Sequence, residues 1–263
     1  MQFQIENIKE DILRIDEFGL GTMYIVLGKD RNALIDTGTG VGHIREVMEN
    51  ISQNKAYFVI CTHGHVDHVG GMNQFDEVYL HPSDHQMALQ VNMAARQDYA
   101  GRILEAYSDS PFKIEDVCDY HHQAKLLPMS EGQAFDLGDK QLEVISVPGH
   151  TPGSVCLLDR EDSVLFSGDN IQHLELLAMP GDNRMDVLKA WLNGLEKVKA
   201  LRNHFDMLLG GHEPLELAVL DQLYECGTGI LNGTLTPAWQ HIHIFENEFT
   251  SYQNVNICLS EHL

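Results

Sequence analysis

The sequence is poor in basic residues. Its 17 Lys and Arg face 39 Asp and Glu, a formal charge of −22 over 263 residues. An extended nucleic-acid footprint needs a basic face, and so does docking on anionic lipid, so neither partner is expected. The segment after His212 has no Lys or Arg at all. Long apolar runs are also missing. None approaches the roughly 18 apolar residues of a membrane-spanning helix, so no membrane insertion is expected. The opening MQFQIENIKE has neither a basic n-region nor an apolar h-region, so no secretory signal is expected. Cysteine is sparse. Cys61, Cys118, Cys156, Cys226 and Cys258 are odd in number and form no C-x-x-C pair. That pattern suits reduced thiols in a cytoplasmic protein better than a disulfide scaffold. What is present is a globular composition, 43 % hydrophobic and 21 % charged.

Apolar runs bounded by Gly or charged turns predict strands at 12–15, 22–27, 32–35 and 55–61. The loop Asp36-Thr37-Gly38-Thr39-Gly40 follows the third, and helical spacing follows over 41–50. A strand near 78–80 precedes a helix that Ser83 can cap, reaching Val91. Residues 92–125 are polar and carry Tyr99, Tyr107, Phe112 and Tyr120; they read as a mostly helical insertion and a candidate lid. More strands are expected at 133–137, 141–147, 154–158 and 163–167. An amphipathic helix over 186–200, a strand at 207–209 and a helix opened by Pro214 and ending near Cys226 come next. The tail 228–263 reads as β-containing, with strands at 238–246 and 255–259. Strands then helix, twice over, suggest two similar halves packed as one sandwich, with residues 1–263 as a single domain.

The densest chemical signal is His63-x-His65-x-Asp67-His68, which leaves a predicted strand. Imidazole and carboxylate are the ligands a borderline divalent ion prefers. His63 and His65 can converge on one metal, while Asp67 and His68 turn toward a neighbouring one. Gly64, Gly70 and Gly71 permit the tight backbone such a loop needs. Three more candidates each stand in a loop after a predicted strand: His150 in PGHTPG, Asp169 in SGD and His212 in GGH. Together they supply the ligand count of a dinuclear site.

In this order, HxHxDH, PGHTPGS, SGD and GGH resemble the metallo-β-lactamase-fold hydrolases over roughly residues 12–225. The resemblance implies an α/β fold, an αββα four-layer sandwich carrying the 92–125 insertion. It implies His63, His65 and His150 around one divalent ion and Asp67, His68 and His212 around a second. Asp169 would bridge both, and Asp36, in the early D-x-G loop, would orient ligands from behind. Two ions roughly 3.5–4 Å apart can share a hydroxide and polarise a bound carbonyl or phosphoryl oxygen. Asp67 would accept a proton or orient that nucleophile while it ligates. Zinc is the default metal; iron and manganese also suit this ligand mix.

A carboxylate at position 169 resembles the glyoxalase II, lactonase and phosphodiesterase-type branches rather than the antibiotic-cleaving ones. The expected activity is hydrolysis of a small ester, thioester or lactone. A phosphodiesterase, a metal-binding sensor or interaction module, and an iron-dependent redox protein are the alternatives. The cation-free tail argues against a glutathione thioester. His173 could polarise a substrate carbonyl, although a surface histidine is the simpler reading; Arg184 could anchor an anionic group, although a solvated loop arginine is the simpler reading. His241 and His243 alternate on the predicted tail strand, at a homodimer edge or at the mouth of the site. The aromatics of the insertion suggest an organic substrate with an apolar portion.

Overall fold

The computed structural model describes residues 3–107, 109–177 and 183–259. The chain divides into two compact units, Met1–Glu143 and Val144–Leu263. Among the described residues, no helix is long and apolar enough to cross a membrane. The five cysteines are free thiols, and only Cys118 is not fully buried.

The first unit holds a seven-stranded sheet in simple sequential order. β1 (Gln4–Lys9), β2 (Ile12–Asp16), β3 (Thr22–Leu27) and β4 (Asn32–Ile35) run antiparallel to their neighbours. β4, β5 (Tyr57–Ile60), β6 (Glu77–Leu80) and β7 (Lys125–Pro128) are mutually parallel. TMYIVL and NALI are nearly continuous apolar strings because β3 and β4 are buried on both faces. Parallel strands need crossovers. α1 (Ile44–Ser52) supplies the one from β4 to β5. α2 (Val66–Val69) lies between β5 and β6. α3 (His85–Gln90) and α4 (Met93–Ala106) lie between β6 and β7. The core gathers Ile15, Met23, Ile25, Leu34, Met48 and Val78, all fully buried.

In the second sheet β8 (Ala134–Asp136) pairs with β9 (Gln141–Ser146), inside which the unit boundary falls. The order continues through β10 (Val155–Asp159) and β11 (Val164–Gly168). β12 (Leu174–Leu177) then belongs to a third sheet. α5 (Arg184–Ala200) crosses over to β13 (Met207–Gly210), parallel to β11, and β14 (Pro214–Leu215) closes that edge. α6 (Ala218–Leu231) leads to β15 (Ala238–Ile242), β16 (Phe245–Tyr252) and β17 (Val255–Leu259). These three strands join β12 in the order β12-β17-β16-β15. The core of this unit centres on Trp191, whose indole N–H donates to the Asn170 carbonyl at 3.0 Å. Burying a ring of that size contributes about 3 kcal/mol.

Several boundaries differ from the sequence expectations. The first helix begins at Ile44 rather than 41, because Gly40 and Gly42 hold positive φ (93° and 90°) and keep the chain out of the helical region. A 3-10 turn, Pro82–Asp84, occupies the position where Ser83 was expected to cap a helix. Pro214 opens no helix. It sits on an edge strand, where its missing N–H costs nothing, and α6 starts at Ala218. The 92–125 insertion is helical over α4, capped by Asn92, and at a short turn Ile114–Asp116; elsewhere it is irregular. The strand expected over 238–246 is a hairpin. His243 sits in its turn at φ 54°, so it shares no strand face with His241.

Candidate metal centre

In the first unit the metal-binding candidates stand where two parallel strands end. Register pairs Ile35 with Ile60, so Asp36 and Thr62 leave neighbouring strands side by side. Carboxyl ends of parallel strands are where α/β folds place their ligands. Asp36, at φ 61°, accepts the Thr62 amide at 2.7 Å and the Thr62 hydroxyl at 2.9 Å. Its Oδ2 also lies 2.9 Å from His68 Nδ1, with both side chains buried.

Beyond Thr62 the chain enters α2, which carries Asp67 and His68 on one turn. His63 Nε2 lies 3.2 Å from His65 Nδ1, and the His63 and His68 rings sit 4.1 Å apart. His68 Nε2 faces Asp67 Oδ2 at 3.6 Å. Within this unit, His63 with His65 and Asp67 with His68 form two neighbouring donor sets. Backbone approach makes the loop possible. A Cβ on Gly71 would come within 2.2 Å of the Thr37 carbonyl oxygen, and one on Gly70 within 2.4 Å of Thr39's.

Sequence reasoning missed three supports in this unit. Asp84 is fully buried and accepts the Gly64 amide at 2.9 Å, holding the backbone between His63 and His65. The Tyr99 hydroxyl lies 2.8 Å from Asp67 Oδ2 and 3.0 Å from the Leu20 carbonyl, tying α4 of the insertion to the metal loop. Glu17 accepts backbone amides from Thr39, Gly40 and Val41 and so fixes the loop beside Asp36. Burial outweighs these bonds and raises its pKa to about 7. Thr62 carried a positional signal, since it immediately precedes the histidine cluster. Tyr99 carried none, since nothing in the sequence places α4 against Asp67.

The second unit repeats the device. β11 and β13 are parallel with Gly168 paired to Gly210, so Asp169 and His212 leave adjacent strands. His212 Nε2 lies 3.2 Å from Asp169 Oδ2, and His150 Nε2 lies 3.7 Å from the same oxygen. His150 Nδ1 is 3.0 Å from the Leu176 carbonyl and 3.5 Å from Glu175 Oε1. Glu175 was not expected. It is fully buried, and that burial, with Asp169 nearby, pushes its carboxyl pKa well up.

The remaining candidates belong to neither donor group among the described residues. His173 Nδ1 pairs with Glu213 at 3.1 Å on a largely solvent-accessible edge. Arg184 is exposed at the start of α5, and His241 is exposed on β15. Residues 178–182, which follow Asp169 and β12, lie outside the described residues.

Comparison with known proteins fits this geometry. Residues 16–223 match the profile of the metallo-beta-lactamase superfamily. The chain belongs to that superfamily; it is a hydrolase with a mixed α/β fold of this type and His/Asp groups suited to divalent metal. It is 28 % identical over 201 residues to an acyl-coenzyme A thioesterase, MBLAC2, of Gallus gallus, covering 70 % of this chain and 72 % of that protein. Against the Homo sapiens form it is 29 % identical over 165 residues, covering 56 % of this chain and 57 % of that one. The chain thus spans little more than half of the human relative. Among solved structures, a metallo-beta-lactamase from Pontibacter korlensis superposes with a TM-score of 0.57 at 19 % identity, covering 86 % of this chain and 99 % of that one.

Proposed function

We propose that the chain is a dinuclear metal-dependent thioesterase, hydrolysing a small organic thioester. The observation that carries the dinuclear part is Asp169. His150 and His212, one from each proposed set, approach the same oxygen, Oδ2, at 3.7 Å and 3.2 Å, which supports Asp169 as the ligand that both sets would share. The donor chemistry fits, since imidazole and carboxylate suit a borderline divalent ion. In this reading His63, His65 and His150 hold one ion, and Asp67, His68 and His212 hold the other. The thioester preference rests on the thioesterase relatives.

When bound, the ions would polarise the thioester carbonyl and furnish a water-derived nucleophile at neutral pH. The residues supply the rest. Asp36 keeps a proton on His68 Nδ1 and so presents Nε2 as the ligand atom. Asp67, steadied by Tyr99, orients the attacking water and receives its proton. The departing thiolate needs no dedicated acid, because a thiol with a pKa of about 8.5 leaves readily as its anion. Small acyl substrates, rather than nucleic acid or lipid surfaces, suit a chain with 39 acidic residues against 17 basic ones.

The test is elemental analysis of protein never exposed to chelator or nickel resin, followed by a panel of acyl thioesters, lactones and phosphodiesters. Close to two ions per chain and thioester turnover lost on Asp169→Ala support the proposal. Less than one ion per chain after supplementation with zinc, iron or manganese overturns it. So does turnover confined to phosphodiesters.

A further inference from the structure

We propose that Glu175 is a positioning residue for His150, and that its buried carboxylate is matched by the cation His150 would hold. The inference rests on the dinuclear reading above and adds to it a residue that no ligand motif contains.

The starting point is the strand. β12 alternates, with Glu175 and Leu177 buried and Leu174 and Leu176 half-buried. Leu177 belongs to the hydrophobic core of its unit, so Glu175 takes an inward place that would ordinarily hold an apolar side chain. It is fully buried, and neither carboxylate oxygen has a hydrogen-bond partner. A buried, unpartnered carboxylate is costly and calls for a physical reason.

His150 supplies that reason. Its Nδ1 lies 3.0 Å from the Leu176 carbonyl, a hydrogen bond, and 3.5 Å from Glu175 Oε1, a charge contact. The carbonyl accepts the Nδ1 proton, and the carboxylate beside it favours the proton there. Nε2 then keeps its lone pair and faces Asp169 Oδ2 at 3.7 Å. Glu175 and Asp169 therefore flank one buried imidazole with two buried carboxylates. Such an arrangement needs positive charge, and a divalent ion held at Nε2 provides it through the ring. A carboxylate behind a ligating histidine raises the basicity of the ligand and holds its orientation.

The experiment measures zinc affinity by chelator competition, and melting temperature with and without zinc, for the full chain and Glu175→Gln. Gln keeps the size and removes the charge. The expected result is a variant whose metal-free melting temperature equals or exceeds that of the parent. Its affinity at one of the two zinc sites should fall about 10- to 100-fold, with the other unchanged. The stabilisation on adding zinc should shrink accordingly. Equal loss of stability with and without zinc, or affinity within twofold of the parent, overturns the inference while leaving the dinuclear reading intact. A parent that binds less than one zinc per chain overturns both. Should Glu175→Gln fail to fold, Glu175→Asp retains the charge but withdraws it by one methylene. A folded Glu175→Asp with full zinc affinity overturns the inference, and one with the same single-site loss supports it.

Discussion

Asp36 Oδ2 lies 2.9 Å from His68 Nδ1, and the same carboxylate is fixed by the Thr62 amide at 2.7 Å. All three groups are buried, Asp36 and Thr62 beyond the ends of two paired parallel strands and His68 on α2. Asp36→Asn keeps the shape but replaces the carboxylate that holds the Nδ1 proton. Metal affinity and kcat/KM should each drop about 10- to 100-fold with the far-UV circular dichroism unchanged. Chelator competition checks the first and thioester kinetics the second. Parent-like values for both would remove Asp36 from the centre.

The contact of Tyr99 with Asp67 makes a separate prediction. A neutral donor bonded to a charged acceptor contributes about 1.5–3 kcal/mol. Tyr99→Phe removes that donor alone and leaves the ring in place. kcat for a thioester should fall about tenfold or more while KM stays within about twofold. A variant that raises KM and leaves kcat untouched would mean Tyr99 shapes the substrate pocket instead of steadying Asp67.

Much of this was legible in the sequence, for identifiable reasons. Thr22–Leu27 and Asn32–Ile35 match their expected bounds because they are short, fully buried strands whose apolar strings end at turn residues. Metal-binding candidates stood out because His63, His65, Asp67 and His68 are dense, and His150, Asp169 and His212 each follow a glycine at a strand end. What stayed hidden depends on tertiary placement. β12 carries a charge at an inward position, which blurs its alternation, so neither the strand nor Glu175 was foreseen. β1 is mostly exposed and lacks an apolar face, and β7 is only four residues long. Asp84 and Tyr99 act across 20 and 32 residues of sequence, distances at which no local pattern links them to Gly64 or Asp67.

Close backbone packing gives a third prediction. Gly71 has φ −87°, a value any residue accepts, so an alanine there meets only a steric obstacle. That obstacle is the Thr37 carbonyl oxygen, 2.2 Å from where the Cβ would stand. The strand-end loop carrying Asp36 and the loop after His68 would have to separate. Gly71→Ala should lower unfolding free energy by about 1–3 kcal/mol, the usual cost of overpacking, and weaken metal binding with it. Denaturant titration with and without zinc checks both effects. Unaltered stability would mean these loops yield more readily than their packing implies.

Glu17 gives a prediction with a definite sign. Its folded pKa is about 7 against an ordinary value of 4.5, because burial disfavours the charge more than the Thr39, Gly40 and Val41 amides favour it. Between those two values the folded chain binds more protons at this site than the unfolded chain does. Stability from this group is therefore greatest at low pH and declines as pH rises from about 4.5 to about 7, by about 3 kcal/mol. Glu17→Gln cannot titrate. It should be less stable at acid pH, where it gives up a well-fitted acceptor, yet its own stability should lack this decline. Urea unfolding of metal-free parent and variant at several pH values should show the gap between them narrowing as pH rises. Curves that stay parallel from pH 4.5 to 7.5 would show that the backbone amides offset burial and leave Glu17 near its ordinary value of 4.5.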